Sequence, residues 1–264
     1  MLKHHKPTRQ WLLSGFIAGS MIFFFCAKLA YAQSVDLRAL YERASQAYNN
    51  QQYAQAIDLY QQIIKVVPNF APAYNGMAMA NQAASGDENK TIEYLKTAIS
   101  YDPKLAAAYD NLGRIYYGRQ DIDHAQENFE KALGIDPHLT SAQLCLGWIN
   151  LLAKSRPEEA IKYFQMALKT SQDAKIYYGL GQAYFASNQR PQAMDMITKL
   201  RQLGEDDLAS RLEKSMREHS EVNSQADTGF SNQASQTPGF GPLPATPDKP
   251  TGMKVRLRGK LSDY

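Results

Sequence analysis

Asp121, Asp123, His124 and Glu127 fall within seven residues of one another. Carboxylates beside an imidazole can fix its tautomer, move a proton or hold a divalent cation. A metal site of this kind needs further His or Cys ligands, and the inventory does not supply them. The chain has 5 His and 2 Cys. His138 and His219 are far from His124 in sequence, and His4, His5 and Cys26 lie in an N-terminal segment of a different kind. No serine sits in a nucleophile elbow. Gly179 and Gly181 form a G-x-G, but inside a helical pattern where the amides are already bonded. No cofactor, metal ligand or catalytic residue is therefore expected, and the chain is not read as an enzyme. The cluster is read as a solvated helix start, with Asp121 as N-cap and His124 pointing outward from the apolar Ala125. His138 and His219 are read as surface residues, and Cys145 as a packed small residue without a basic neighbour to activate it.

What positions these residues is a repeat. The stretch Tyr109–Pro137, YDNLGRIYYGRQDIDHAQENFEKALGIDP, returns as QLCLGWINLLAKSRPEEAIKYFQMALK and again as YYGLGQAYFASNQRPQAMDMITKL. A small residue recurs at Ala44, Ala78, Gly113, Gly147 and Gly181, at spacings of 34, 35, 34 and 34. A second series, Ala56, Thr91, Ala125, Ala160 and Ala193, runs at 35, 34, 35 and 33. Large apolar side chains follow it at Tyr60, Leu95, Phe129, Phe164 and Ile197, and Pro68, Pro103 and Pro137 close the first three units. Apolar residues such as Ala125, Phe129, Ala132 and Leu133 recur at helical spacing. Glycine inside a helix costs about 1 kcal/mol relative to alanine, so Gly113, Gly147 and Gly181 imply close helix approach as the offsetting gain. No unit buries its apolar face alone, and stacking supplies the core.

This pattern resembles the tetratricopeptide repeat over five units, roughly Leu37 to Leu203. The third unit fits best, through Tyr109, Leu112, Gly113, Tyr116, Ala125, Phe129, Ala132 and Pro137. Departures are Arg43 where Leu is usual, Thr91 for Ala, Gln143 at an aromatic position and Gln172 where Pro is expected. The resemblance implies an all-α fold: a right-handed superhelical solenoid of five antiparallel helix pairs. Glu205–His219, after Gly204, carries Leu208, Leu212 and Met216 on one stripe and is expected to be a capping helix.

The ends differ in composition. Lys3, Lys6 and Arg9 precede the apolar run Trp11–Ala27, and Ala30-Tyr31-Ala32 places small residues where signal peptidase reads them. Residues 1–32 are expected to be a secretory signal, or else an uncleaved inner-membrane anchor. Removing Lys3, Lys6, Arg9 and Lys28 takes 29 bases to 25 against 26 acids, a net of −1, so charge gives no case for nucleic-acid binding. Residues 33–219 form the array with its cap. Residues 220–252, rich in Ser, Gln, Gly and Pro, are expected to be a flexible linker. Residues 253–264 alternate Met253, Val255 and Leu257 with Lys254, Arg256 and Arg258, a strand-like basic tail that could dock on a sheet edge or fold back on the acidic array.

The family resemblance also implies where a ligand would lie. First helices form the concave wall, and contacts fall three residues before, one after and four after the small residue. The first two units place Tyr41, Ser45, Tyr48, Asn75, Met79 and Gln82 there. The third contributes Asp110, Arg114 and Tyr117. Units four and five contribute Leu144, Trp148, Leu151, Tyr178, Gln182 and Phe185, of which Leu144 and Leu151 read equally well as packing against the neighbouring unit or the cap. Trp148 and Tyr117 are the favoured anchors, since buried aromatics and Arg dominate binding surfaces. The Lys/Asn clamp for a terminal carboxylate is absent, its positions holding Asp110, Leu144 and Tyr178. The expected function is an exported periplasmic or secreted scaffold that binds a peptide or protein, linear or helical, for envelope assembly (secretion, pilus or surface polymer). The alternative is a structural protein that self-associates through its basic tail.

Overall fold

The computed structural model describes residues 37–226, with side chains to residue 218. The expected N-terminal signal, residues 33–36, most of the expected linker and the basic tail lie outside the described residues. Helix α1 covers residues 37–49. It is followed by α2 (Tyr53–Val66), α3 (Ala71–Ser85), α4 (Glu88–Tyr101), α5 (Ala106–Gly118) and α6 (Ile122–Ile135). Then come α7 (Thr140–Trp148), a π-helical turn (Ile149–Ala153), α8 (Pro157–Leu168), α9 (Ala174–Ala186), α10 (Arg190–Gln202) and α11 (Asp206–Ala226). The protein is an all-α solenoid of helix pairs. Among the described residues no helix is long and apolar enough to cross a membrane.

The helix boundaries follow from local chemistry. Asp87, Asp121 and Asp173 cap α4, α6 and α9, their carboxylates accepting from the amides of Lys90, His124 and Lys175. Helices α2, α4 and α6 end at Val66, Tyr101 and Ile135, two residues before Pro68, Pro103 and Pro137, because the residue before proline is driven out of the helical region. Between the helices of each pair one residue adopts the left-handed conformation: Gln51, Gly86, Gln120, Ser155 and Asn188. Each stands five residues before the small residue of the second helix. At Gln51, Gln120 and Asn188 the next amide bonds back over a full turn, as in Gln52 to the Ala47 carbonyl at 2.8 Å and Asp121 to the Tyr116 carbonyl at 3.0 Å.

The interval from the first small residue to the second is 12 residues in units one, three and five but 13 in units two and four. The added residue is absorbed differently. In unit two it enlarges the turn around Gly86, at φ 64°. In unit four it widens the end of the first helix into the π turn, where Lys154 bonds the Ile149 carbonyl at 3.1 Å and Asn150 Nδ2 bonds the Leu146 carbonyl at 2.8 Å.

Packing explains the small residues. A side chain at Gly113 would place its Cβ 2.9 Å from Phe129 Cε1, and one at Gly147 would lie 2.6 Å from Phe164 Cε1. Tyr60 occupies the same kind of space over Gly76, and Leu212 of α11 fills it over Gly181. Ile197 stands in unit five where Phe129 and Phe164 stand earlier, so the cap supplies the bulk that the smaller side chain lacks. Of the expected stripe the cap buries Leu212 and Met216 and half-buries Leu208, with Ala209 buried beside them, but the helix continues to Ala226, so residues 220–226 are helix rather than linker. Ion pairs tie successive turns along the outer edge: Arg119 to Glu88 at 2.7 Å and Lys154 to Asp123 at 3.3 Å, both pairs shifted by 35 residues.

Candidate functional site

Each member of the carboxylate and histidine cluster is committed locally. Asp121 accepts from the His124 amide at 3.3 Å and from its Nδ1 at 2.7 Å, and the His124 ring stacks on Tyr116 with centroids 5.1 Å apart. Asp123 pairs with Lys154, and Glu127 with Lys131 at 2.7 Å. The Lys131 hydrogen bond holds the Glu127 carboxyl below the usual range. Among the described residues no group of three or more His, Cys, Asp or Glu side chains is arranged to hold a metal.

The first helices make the inner wall. Helix α3 packs on α5, α5 on α7 and α7 on α9. Two polar bridges join them. Asn111 Nδ2 donates to Asn75 Oδ1 at 2.9 Å, from α5 to α3, and Ser141 Oγ donates to Asp110 Oδ2 at 3.0 Å, from α7 to α5. Asn111 and Ser141 were not selected from sequence, since neither occupies a position that the family pattern marks.

The wall is not uniformly open. The row four residues after the small residue, Tyr48, Gln82, Tyr117, Leu151 and Phe185, is half-buried throughout. Met79, Arg114, Tyr178 and Gln182 are also half-buried, as are Tyr41 and Ser45. Asn75, Asp110, Leu144 and Trp148 are buried. This corrects the expectation for Asn75, Asp110 and the favoured anchor Trp148, which is 4% exposed, and decides Leu144 in favour of packing. The cause lies on the facing helix. Gly179 leaves room between α7 and α9, and the indole enters it: a Cβ at Gly179 would sit 3.1 Å from Trp148 Cζ2. The ring meets Phe164 edge-on at 5.3 Å and Tyr178 at 6.1 Å. The glycine in the next repeat was the available signal. Tyr41 likewise packs edge-on against Tyr60 and Phe70, each at 5.7 Å, and burial raises its phenol.

Electrostatics on the wall is governed by burial. Asp110 is pushed up to about 6 by desolvation, which outweighs the nearby Arg114 guanidinium and the Ser141 hydroxyl. Cys145 is buried, and burial raises its thiol far above the usual range, so it is unreactive. Burial also raises the Tyr117 and Tyr178 phenols. Gln182 Nε2 donates to Tyr178 Oη at 2.7 Å, and the Arg190 guanidinium lies 5.5 Å from the Phe185 ring centroid. Four side chains of the first helices hold a buried polar atom without a partner: Asn75 Nδ2, Asp110 Oδ1, Gln143 Oε1 and Trp148 Nε1.

Three family models, each described as tetratricopeptide repeat, match residues 38–69, 106–139 and 149–196. The chain is a tetratricopeptide repeat protein. It is 29% identical over 196 residues to the mitochondrial import receptor subunit TOM70 of Mus musculus, covering 70% of this chain and 31% of that one. It is 35% identical over 101 residues to the cellulose synthase operon protein C of Escherichia coli K12, covering 38% of this chain and 8% of that one. The tetratricopeptide repeat chain thus spans less than a third of either relative's length. Among solved structures, YrrB, described as a TPR protein with an unusual peptide-binding site, superposes with a TM-score of 0.52 at 17% identity, over 66% of this chain and 90% of that one. That likeness shows the fold.

Proposed function

We propose that this tetratricopeptide repeat protein is an exported interaction scaffold that binds a peptide or protein segment along its first helices. The observation that carries the reading is the half-buried row Tyr48, Gln82, Tyr117, Leu151 and Phe185, one residue per repeat, four of them apolar or aromatic. A continuous stripe of this kind, rigid in the scaffold and open to solvent, offers anchor contacts at low ordering cost. The repeat family, the peptide-binding site named for YrrB and the import-receptor role named for TOM70 support an interaction role. Export to the periplasm is supported by the basic and apolar start of the sequence and by Ala30-Tyr31-Ala32. Service in envelope assembly is the setting most consistent with an exported scaffold, in a secretion, pilus or surface-polymer system.

Site-specific photocrosslinking in cells tests the groove. A crosslinker at Leu151 is expected to trap a partner that a crosslinker at Lys96, exposed on α4, does not. Phe185→Ala should abolish the Leu151 adduct. Equal adducts from both positions would remove the groove assignment. N-terminal sequencing of the cell-envelope fraction tests export, with Gln33 expected as the first residue.

A further inference from the structure

We infer that the chain pairs with a second copy of itself through the edge formed by the ends of α2, α4 and α6, with Val66, Tyr101 and Ile135 at the centre of the contact. This edge belongs to the second helices, and the inference is independent of the groove reading above.

Six large apolar side chains are exposed among the described residues: Val66, Tyr101, Ile135, Leu152, Met194 and Leu203. Four of them, Val66, Tyr101, Ile135 and Leu203, share one place in the repeat, ten residues after the small residue of the second helix. The row is broken in unit four. Thr170 stands there, its hydroxyl 2.7 Å from that of Thr140, and Gln143 replaces the Tyr74 and Tyr109 of the earlier first helices. The continuous patch therefore has three members, the last residues of α2, α4 and α6, at 57%, 47% and 37% exposure. Its middle is held in place. The Tyr74 ring lies 5.4 Å from the Tyr101 ring, and the Tyr74 hydroxyl donates to the Pro68 carbonyl at 3.0 Å. Exposed apolar side chains gathered in one patch mark an interaction surface.

Charge selects the occupant. Lys65 precedes Val66, Asp102 and Lys104 follow Tyr101, and Asp136 follows Ile135. None of these four forms an ion pair among the described residues. Two bases and two acids give the chain's basic tail no net attraction to this edge. Their order is instead self-complementary. A two-fold axis through Tyr101 that reverses the row sets Val66 against Ile135 of the second copy and Lys65 against Asp136 of the second copy, each contact made twice. Val66 and Ile135 stand one repeat to either side of that axis. An axis along the row would set Lys65 against its own like and Asp136 against its own like, which is repulsive. Three apolar anchors with a charged rim fit a weak, concentration-dependent dimer.

Sedimentation equilibrium of the purified protein, from about 1 μM to about 1 mM, should show reversible dimerisation. Lys65→Glu and Asp136→Lys should each weaken it about tenfold at unchanged helicity, since each creates two like-charge contacts. An equimolar mixture of these two variants should dimerise as wild type does, because each supplies the charge that the other lacks. The Lys65→Glu/Asp136→Lys double variant should dimerise likewise. A monomer throughout the range, or a dimer that neither single variant weakens, overturns the inference. So does weakening in the single variants that the mixture fails to rescue. A dimer lost only in Lys254→Glu/Arg256→Glu/Arg258→Glu assigns self-association to the tail and overturns the inference as well.

Discussion

The Phe164 ring fills the space that a side chain at Gly179 would need: a Cβ there would lie 2.6 Å from Phe164 Cζ. The relationship crosses a repeat boundary, from α8 to α9, while the same ring also covers Gly147 within its own repeat. One aromatic side chain thus sets two helix approaches, and the cooperativity between repeats follows from this sharing.

Gly179→Ala should therefore destabilise. Forcing a methyl into a filled interior costs about 1–3 kcal/mol, which outweighs the roughly 0.5–1 kcal/mol that alanine gains over glycine in a helix. Gly134→Ala is the control. Nothing lies within 4 Å of its Cβ position, so only the helix gain remains and Tm should rise. Urea unfolding of both variants measures the contrast, and equal effects would show that the Phe164 ring gives way to a methyl at Gly179.

The left-handed turn residues point the other way. Gln51 and Gln120 each hold φ 62°, a conformation that disfavours residues with a Cβ by about 1–2 kcal/mol. Gln120→Gly should stabilise by about 0.5–1 kcal/mol after glycine's greater unfolded-state freedom is set against it. The double variant with Gln51→Gly should show additive gains, since the sites are far apart.

Trp148→Ala should lower stability by about 3–5 kcal/mol, as expected for emptying a large core site. The indole packs on Phe164 and Tyr178, so its loss strikes α7, α8 and α9 together. A binding defect in this variant would be uninterpretable, whereas Tyr117→Ala and Phe185→Ala touch half-buried positions. Thermal unfolding by far-UV circular dichroism separates the cases: only Trp148→Ala should drop Tm sharply.

Asp110 gives a pH signature. Its folded pKa, about 6, lies above the ordinary 3.8, so the folded state holds the proton more tightly than the unfolded one. Stability from this group is full below pH 3.8 and is lost as pH rises through about 6, with no further change above. Asp110→Asn keeps the shape and removes the titration. Unfolding free energies across pH 4 to 7 should fall more steeply for wild type than for this variant, and parallel curves would mean that Asp110 titrates normally.

Much of the fold was legible in the residues. The recurrence of Gly113, Gly147 and Gly181 against Ala125, Ala160 and Ala193 gave the pairing register, and Pro68, Pro103 and Pro137 marked helix ends to within two residues. Asp121 was readable as a cap because a carboxylate at that place meets unbonded amides. The groove was less legible. Position in a repeat says which way a side chain leaves its helix, but its exposure depends on what the next helix carries. At Trp148 the next helix carries Gly179 and the side chain sinks in. Tyr117, one turn further along its own helix, packs beside the buried cluster of Cys145 and Leu146 and stays half-exposed. The one-residue insertion in unit four was visible as a count of 13, yet counting could not say whether a turn or a helix would absorb it.

By itself the sequence determined the local geometry: five helix pairs, the cap at Asp121 and the periodic small contacts, because these depend on neighbours within one or two turns. The tertiary structure alone decided which wall residues face solvent, where the extra residue of unit four became a π turn, and which polar atoms were left without partners. Those outcomes are set by the volume and hydrogen-bonding groups of side chains about 30 residues away, which no local spacing encodes.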